Sequence, residues 1–193
     1  ANIALKLDAL QLAGDKLTSV SQSGVKTALA ITAAQLSADS ATLAKIDAST
    51  DVPYTLSVSG IKIQDLKDIT ANSKITSFSV NDSATNVASA LSDLQTASAK
   101  VKTIALTDAA PALSVKVADL SGAAGVLAKI TSKFSYKISD SSTNISAGLD
   151  TLQAKVKSIS SLTLTDTGRP TLSVTATQYK NDAAVLAKIS GAA

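Results

Sequence analysis

The chain has 193 residues, enough for one compact domain or for several stacked repeats. It contains no Cys and no His, and all of its acidic residues are Asp, so disulfides, zinc–thiolate sites and mechanisms that need Cys or His are excluded. The net charge of +3 comes from scattered lysines with Arg169 as the only arginine, a pattern that argues against nucleic-acid binding and favours solvated surface lysines.

An internal repeat organises the sequence. Asp82-Ser-Ala-Thr-Asn-Val87 recurs as Asp140-Ser-Ser-Thr-Asn-Ile145, a shift of 58 residues, and the match continues to the identical pentapeptides Val126–Ile130 and Val185–Ile189, where the shift is 59. The N-terminal part fits at a shift of 84, with Leu43–Ile46 on Leu127–Ile130. The sequence therefore predicts one repeat array over 1–193, made of repeat 1 (1–59), an extra half-repeat (60–80), repeat 2 (81–138) and a truncated repeat 3 (139–193).

Each repeat is predicted to begin with a helix. Val87, Leu91 and Leu94 stand at the spacing of one helix face, and Asp82 or Ser83 takes the N-cap position, as Asp140 or Ser141 does in repeat 3. A strand follows with Ile104 and Leu106 inward and Thr103, Ala105 and Thr107 outward. Asp108 to Pro111 forms a turn, and Leu113, Val115 and Val117 line a second strand. These two strands either turn a corner or form a hairpin, and the corner is preferred.

A second helix carries Leu120, Leu127 and Ile130, and Asp39 and Asp182 stand where its N-cap would be in the other repeats. The third strand contains Phe134, Tyr136 and Ile138, with relatives around Tyr54 and Phe78. These aromatic residues are predicted to form a ladder between stacked coils that fills the core, in preference to a ligand platform.

This alternation predicts the α/β class, with a repetitive solenoid of stacked helix–strand coils and parallel sheets flanked by helices. Each repeat is expected to bury its apolar face against neighbouring repeats. Ala1 is expected to lie inside the first helix, and a strand is expected after Ile189. The sequence is thus interpreted as a segment of a longer array.

No catalytic, cofactor-binding or metal-binding residues are assigned, and the chain is predicted not to be an enzyme. The repeated aspartates fall at caps and turns, while Gly122 and Gly125 lack the rest of any phosphate-binding motif. Weak calcium binding by the turn aspartates Asp108 and Asp166 stays open as an alternative. No apolar run approaches the roughly 18 residues of a membrane span.

The repeated phrases, including Leu149-Asp-Thr-Leu-Gln153, Leu162-Thr-Leu-Thr-Asp166 and Ala183–Ile189, resemble repeats of large secreted or cell-surface proteins of proteobacteria, adhesin-like and often secreted by the type I route. The resemblance covers nearly the whole chain. It implies an extracellular or cell-surface scaffold, although the family's calcium-binding β-roll is missing from this segment. The matched positions carry over no functional residues.

Three classes of function remain open at this point. The leading hypothesis is a structural or adhesive surface protein acting as a spacer, a filament or a surface-layer element, with possible head-to-tail self-association. The second is a module that binds glycan, ice or another surface through outward hydroxyls such as Thr163, Thr165, Ser173 and Thr175. The third is a noncatalytic region of a secreted enzyme.

Overall fold

A computed structural model describes residues 2–21, 28–47 and 54–190 of the chain. The chain divides into two compact units: unit 1 comprises Ala1–Asn81 with Ala99–Ala105, and unit 2 comprises Asp82–Ser98 with Leu106–Ala193. The structure contains two four-stranded sheets flanked by short helices. The α/β class and the parallel sheets expected from the sequence are confirmed, whereas the predicted helix start at Ala1 lies outside the described residues.

Unit 1 holds the first sheet. Its helices are α1 (Asn2–Leu5), α2 (Leu7–Leu12), α3 (Ala33–Ala38), α4 (Ser40–Asp47) and α5 (Leu66–Ala71). Its strands are β1 (Leu29–Thr32), β2 (Leu56–Ile61), β3 (Ile75–Asp82) and β4 (Val101–Leu106), and they are ordered β1-β2-β3-β4 across the sheet.

Unit 2 holds the second sheet. Its helices are α6 (Ala84–Ser89), α7 (Leu91–Thr96), α8 (Asp119–Gly122), α9 (Ala124–Leu127), α10 (Ser142–Ala147), α11 (Leu149–Ala154), α12 (Ala176–Asn181) and α13 (Ala183–Leu186). Its strands are β5 (Ala112–Val115), β6 (Ser135–Asp140), β7 (Ile159–Leu164) and β8 (Ile189–Ser190), ordered β5-β6-β7-β8.

In both sheets the strands lie side by side in the order in which they occur in the chain. Leu29 of β1 is paired with Leu56 of β2 in a parallel ladder, and Leu113 of β5 is paired with Tyr136 of β6 in the same way. Helical segments connect successive strands, as parallel pairing requires. Apolar side chains of neighbouring strands therefore stand next to each other along the sheet.

The core of each unit is aliphatic. Ile104 and Leu106 are buried while Thr103 and Thr107 are exposed, which confirms the predicted alternation of this strand. Phe78 is fully buried at 0% exposure, and Tyr54 and Tyr136 are also buried. Core filling by these three aromatic residues is therefore confirmed.

The predicted aromatic ladder between stacked strands is wrong for the described pairs. Phe78 is paired with Val58, and Tyr136 is paired with Leu113 and Ile159. Phe134 contacts Tyr136 edge to face, with ring centroids 5.0 Å apart, but both residues belong to the same segment of chain. Phe78 and Tyr136 are thus paired with aliphatic residues, because neighbouring strands carry aliphatic side chains at these positions.

The helices predicted as continuous are broken in every repeat. Ala90, with φ −110° and ψ 13°, separates α6 from α7, and Lys6 and Gly148 do the same at the equivalent positions. Asp39 and Asp182 separate the halves of the second helix in repeats 1 and 3. Val87, Leu91 and Leu94 are nevertheless buried, so the predicted apolar face is confirmed although its continuity is not.

The second predicted strand differs between repeats. In repeat 2, β4 belongs to the first sheet and β5 to the second, so the hairpin between these two strands is excluded. In repeat 3, Leu172 and Val174 stand at the positions of Leu113 and Val115 but lie outside any strand. The strand expected there is absent from the described part of the chain.

Gly148 lies where a larger residue does not fit. A Cβ atom at this position would stand 2.2 Å from Cγ1 of Val117, and a β-branched valine cannot easily turn aside. We expect Gly148→Ala to lower the free energy of unfolding by about 1–3 kcal/mol through overpacking. Urea unfolding followed by circular dichroism measures the loss.

Two variants control this prediction. Gly122→Ala adds the same methyl group where no atom lies within 4 Å and is expected to change stability by about 1 kcal/mol at most. Val117→Ala should restore part of the stability of Gly148→Ala, since alanine stands at the equivalent positions 33 and 176. Full stability of Gly148→Ala alone would contradict the packing shown here.

Candidate functional site

In repeats 2 and 3, the last residue of the strand before the first helix is an aspartate that accepts several hydrogen bonds, Asp82 in repeat 2 and Asp140 in repeat 3. Asp140 ends β6 and is buried. Its Oδ1 accepts hydrogen bonds from the Ser141 N–H at 2.9 Å and the Asn144 side chain at 2.7 Å, and its Oδ2 accepts one from the Val117 N–H at 3.0 Å. Asp82 makes the first two contacts with Ser83 and Asn86. The carboxylate thus joins strand, helix start and a neighbouring segment.

The charge of Asp140 is favoured by these partners. Burial by itself raises the pKa of this carboxyl, but the hydrogen bonds from Asn144, Ser141 and Val117 and the nearby Lys116 outweigh burial. The pKa of Asp140 therefore lies below its ordinary value, and the side chain is ionised at neutral pH.

The N-caps predicted beside these aspartates are confirmed for the serines. The Ser83 and Ser141 hydroxyls accept hydrogen bonds from the N–H groups of Asn86 and Asn144, both at 3.2 Å. The aspartate before each serine occupies the end of the strand and does not cap the helix.

The turn aspartates considered for calcium each hold a helix start. Oδ2 of Asp108 accepts a hydrogen bond from the Ala84 N–H at 2.6 Å, and Oδ2 of Asp166 accepts one from the Ser142 N–H, also at 2.6 Å. Both contacts satisfy a backbone donor in the first turn of a helix. Among the described residues no group of three or more acidic side chains is arranged to hold a metal ion.

A glutamine of each repeat links its first helix to its second. Oε1 of Gln95 accepts a hydrogen bond from the Val126 N–H at 3.0 Å, and Oε1 of Gln153 accepts one from the Val185 N–H at 3.0 Å. In unit 1, Gln11 makes the equivalent contact with the Thr42 N–H at 3.1 Å. These three contacts, here called the glutamine links, join segments 31 or 32 residues apart.

Three lysines expected to be solvated also make links within their units. Nζ of Lys45 donates to the Gly14 carbonyl at 2.8 Å, Nζ of Lys188 donates to the Ile159 carbonyl at 2.7 Å, and Nζ of Lys129 donates to the Ser98 carbonyl. These lysines belong to the identical Leu-Ala-Lys-Ile phrases of the three repeats. Their place in the repeat is thus explained by a structural contact.

The sequence placed Asp39 and Asp182 as helix caps, and the structure corrects this. Asp182 makes no side-chain capping contact, and the side chain of Asp39 lies beside that of Asp8. Asp182 forms the same kind of pair with Asp150. Oδ2 of Asp39 and Oδ2 of Asp182 are buried without an N–H or O–H donor among the described residues. A proton on one carboxyl of each pair would provide the missing donor.

The Asp8–Asp39 pair lies in an open pocket of about 580 Å³ in unit 1. The pocket is also lined by Gln11, Leu12, Thr32 and Gln35, and the Gln35 amide donates to Oδ1 of Asp8 at 3.0 Å. Thr32 and Gln35 form a capping box that fixes the start of α3 at the pocket wall. Two carboxyl groups thus face this pocket, and neither this pair nor the pair in repeat 3 has a nucleophile–base arrangement among the described residues.

Burial raises the pKa of Asp39 first of all, and the hydrogen bond to Asp8 and the charge of Asp8 add to the effect. The same causes, in the same order, raise the pKa of Asp182 beside Asp150. Each pair can hold one proton between two carboxyls. Repeat 2 lacks the pair, since Ser92 and Ala123 stand at its two positions.

These pairs predict a pH-dependent stability. Because the pKa of Asp182 is raised in the folded state, folding takes up a proton, so its contribution is complete below the ordinary pKa of 3.8 and is lost as the pH rises through the raised value. We expect the free energy of unfolding to increase as the pH falls from 7 toward 4. A fourfold variant carries the repeat 2 residues at these positions: Asp8→Ser, Asp150→Ser, Asp39→Ala and Asp182→Ala. Its free energy of unfolding should increase less between pH 7 and pH 4 than that of the unchanged chain.

Urea unfolding at a series of pH values measures the effect. Asp68→Ser, on the exposed surface of α5, is the matched control and should keep the pH dependence of the unchanged chain. Parallel pH profiles for the fourfold variant and the unchanged chain would show that the pairs do not share protons.

The outward hydroxyls expected to form a surface row are arranged otherwise. Thr163 lies on β7 and is half-buried, whereas Ser173 and Thr175 lie outside the strands. The Ser173 N–H donates to the Ser146 hydroxyl, and Thr175 caps α12. The expected row is therefore not continued beyond β7 in unit 2.

Gly122 and Gly125 lie in the short helices α8 and α9. In the described parts of the chain every helix is too short and too polar to cross a bilayer. Comparison with family models, curated proteins and solved structures finds no match to this chain.

Proposed function

We propose that this chain is a non-catalytic structural or adhesive repeat segment of a bacterial extracellular or cell-surface protein, in which the repeats stack as a solenoid. It serves as a spacer, a filament body or a surface-layer element. The sequence repeat and the resemblance of its phrases to secreted adhesin-like proteins support this proposal.

The glutamine links are the observation that carries the proposal. Gln11, Gln95 and Gln153 recur at the repeat shifts of 84 and 58 residues and make the same contact to a backbone N–H about 31 residues further on. A polar residue that recurs in this way joins the two helices of each repeat by the same contact, and such a regular internal contact fits an architecture of stacked repeats. Such a residue is retained for architecture and requires no ligand.

The recurring aspartates support the same conclusion. Asp108 and Asp166 each accept a backbone hydrogen bond at a helix start, and Asp82 and Asp140 each join a strand end to the following helix. A charged residue that satisfies buried backbone donors is stabilising without taking part in any reaction. The repeated acidic positions are thus accounted for by folding.

Outward hydroxyls on the strands also serve neighbouring strands. The Ser59 hydroxyl donates to the Ile31 carbonyl at 3.3 Å, and the Ser160 hydroxyl donates to the Tyr136 carbonyl at 3.0 Å. Hydroxyls used in this way are less exposed to a glycan or to an ordered surface. This favours the structural role over the binding role.

Labelling of intact cells tests the proposed location and role. Antibodies against the purified chain are applied to cells that produce the protein, before and after lysis. We expect the full signal on intact cells and its loss after brief protease treatment of those cells. A signal that appears only after lysis contradicts an extracellular structural role.

A further inference from the structure

Three apolar residues of repeat 3 are more exposed than their counterparts in repeat 2. Val174 is 36% exposed and Tyr179 is 70% exposed, whereas Val115 and Leu120 at the equivalent positions of repeat 2 are 4% and 3% exposed. Leu172 is half-buried, although Leu113 is fully buried. The sequence is apolar at these positions in both repeats, so the difference lies in what covers them.

The cover in the earlier repeats is a parallel strand. In unit 2, β5 is paired with β6 through Leu113↔Tyr136 and Val115↔Ile138. In unit 1, β1 is paired with β2 through Leu29↔Leu56 and Ile31↔Val58. Residues 171–174 correspond to β5, and none of the strands in the described chain pairs with them.

The segment is nevertheless held in place. The Ser173 N–H donates to the Ser146 hydroxyl of α10 at 3.1 Å, and α10 is the counterpart of α6, against which β5 packs. Thr175 and Gln178 form a capping box, as Thr32 and Gln35 do after β1. An edge that is already positioned loses little conformational entropy when a partner binds.

We propose that residues 171–179, here called the acceptor edge, bind a parallel strand of the β6 type, supplied by a further repeat of the same kind. The strand carries apolar residues at alternate positions, as Tyr136 and Ile138 do, and covers Leu172 and Val174 by adding to the backbone hydrogen bonds of the edge. This inference rests on the proposed repeat architecture and names the partner of one of its edges.

The contact of Asp140 specifies the partner further. Oδ2 of Asp140 at the end of β6 accepts a hydrogen bond from the Val117 N–H, two residues after β5 ends. Ala176 takes the place of Val117 in repeat 3. The incoming strand therefore ends in an aspartate that accepts a hydrogen bond from the Ala176 N–H. An apolar strand without such a residue binds less tightly.

An extended chain tests the proposal. A second copy of residues 131–158 is attached after Ile189, which is the counterpart of Ile130. Nitration of tyrosine by tetranitromethane is followed by peptide mass, with the buried Tyr54 and Tyr136 as internal standards. We expect the extension to slow the nitration of Tyr179 at least about tenfold, because a covered side chain reacts only when the contact opens. An unchanged rate overturns the proposal.

Matched variants show whether the cover is specific. The first variant carries Tyr136→Asp and Ile138→Asp in the attached copy only, and the second carries Val174→Asp in the acceptor edge of the extended chain. Neither changes the length of the extension. In each variant we expect Tyr179 to be nitrated as fast as in the unextended chain. Leu12→Asp, at a leucine of unit 1 that is 89% exposed, should leave the protection intact. Equal protection by the altered extension overturns the proposal.

A second arm applies if the extended chain fails to fold, which rapid nitration of Tyr54 would reveal. The 131–158 segment is then added to the unextended chain as a free peptide, and the protection of Tyr179 is measured against peptide concentration. Protection that is lost with Val174→Asp supports the edge, and no protection up to millimolar peptide overturns it. A negative result in either arm does not change the outcome expected from labelling intact cells. The acceptor edge and the proposed extracellular role can therefore be contradicted separately.

Discussion

Asp140→Ala is expected to lower the free energy of unfolding by about 3–5 kcal/mol, because it removes a buried carboxylate and leaves three part-buried donors without an acceptor. The Ser141 N–H, the Asn144 side chain and the Val117 N–H all lose their partner, and the residue itself is buried. Hydrogen bonds to a charged group are stronger than those between neutral groups. Urea unfolding at pH 7 measures the loss.

The loss also has a defined pH dependence. Since the pKa of Asp140 is lowered in the folded state, its contribution is present above the ordinary pKa of 3.8 and is lost as the pH falls through the lowered value. We expect the difference between the variant and the unchanged chain to be constant from pH 7 to about pH 5 and to shrink below pH 3.8. A difference that disappears already at pH 5 would contradict the assignment.

Two further variants complete this experiment. Asp140→Asn keeps one carbonyl acceptor but no charge, and its stability should lie between those of the alanine variant and the unchanged chain. Asp93→Ala removes an exposed aspartate of α7 and should change the free energy of unfolding by no more than about 0.5 kcal/mol. A cost for Asp93→Ala close to that of Asp140→Ala would show that general charge, and not the hydrogen bonds, is responsible.

Phe78→Ala is the second substitution with a large expected effect. Phe78 is the largest fully buried side chain of unit 1, and it is paired with Val58 in the middle of the first sheet. Removing its ring should lower the free energy of unfolding by about 3–5 kcal/mol through lost burial and the cavity that remains. The measurement is thermal or urea unfolding of the full chain.

Tyr179→Ala is the matched control, because it removes a ring of similar size that is 70% exposed. Its expected cost in the chain as it stands is no more than about 0.5 kcal/mol. Phe78→Leu, which keeps most of the apolar volume, should cost less than Phe78→Ala. A loss below about 1 kcal/mol for Phe78→Ala would mean that the core of unit 1 is not packed as described.

The sequence predicted the features that depend on local pattern. The alternation around Ile104 and Leu106 and the apolar helix face of Val87, Leu91 and Leu94 follow from period and are confirmed. The serine caps at Ser83 and Ser141 also follow from local chemistry. Each of these features needs only residues that are close in the chain.

Other features were missed because they depend on distant parts of the chain. Lys6, Ala90 and Gly148 interrupt the first helix at the same place, yet a lysine, an alanine and a glycine share no helix-breaking signal. The pairing of Asp39 with Asp8 joins two helices 31 residues apart in sequence. Residues 171–175 lie outside any strand although Leu172 and Val174 match Leu113 and Val115 of β5, so the local sequence alone does not decide whether a strand forms there.

The strand order has a consequence for how the protein is made. Leu29 is paired with Leu56 and Leu56 with Ile75, so the paired residues lie only 27 and 19 positions apart. A strand leaving the ribosome therefore pairs with a strand that has already been synthesised, and the growing sheet does not depend on the far end of the chain. Synthesis from the N-terminus can thus be accompanied by folding one strand at a time.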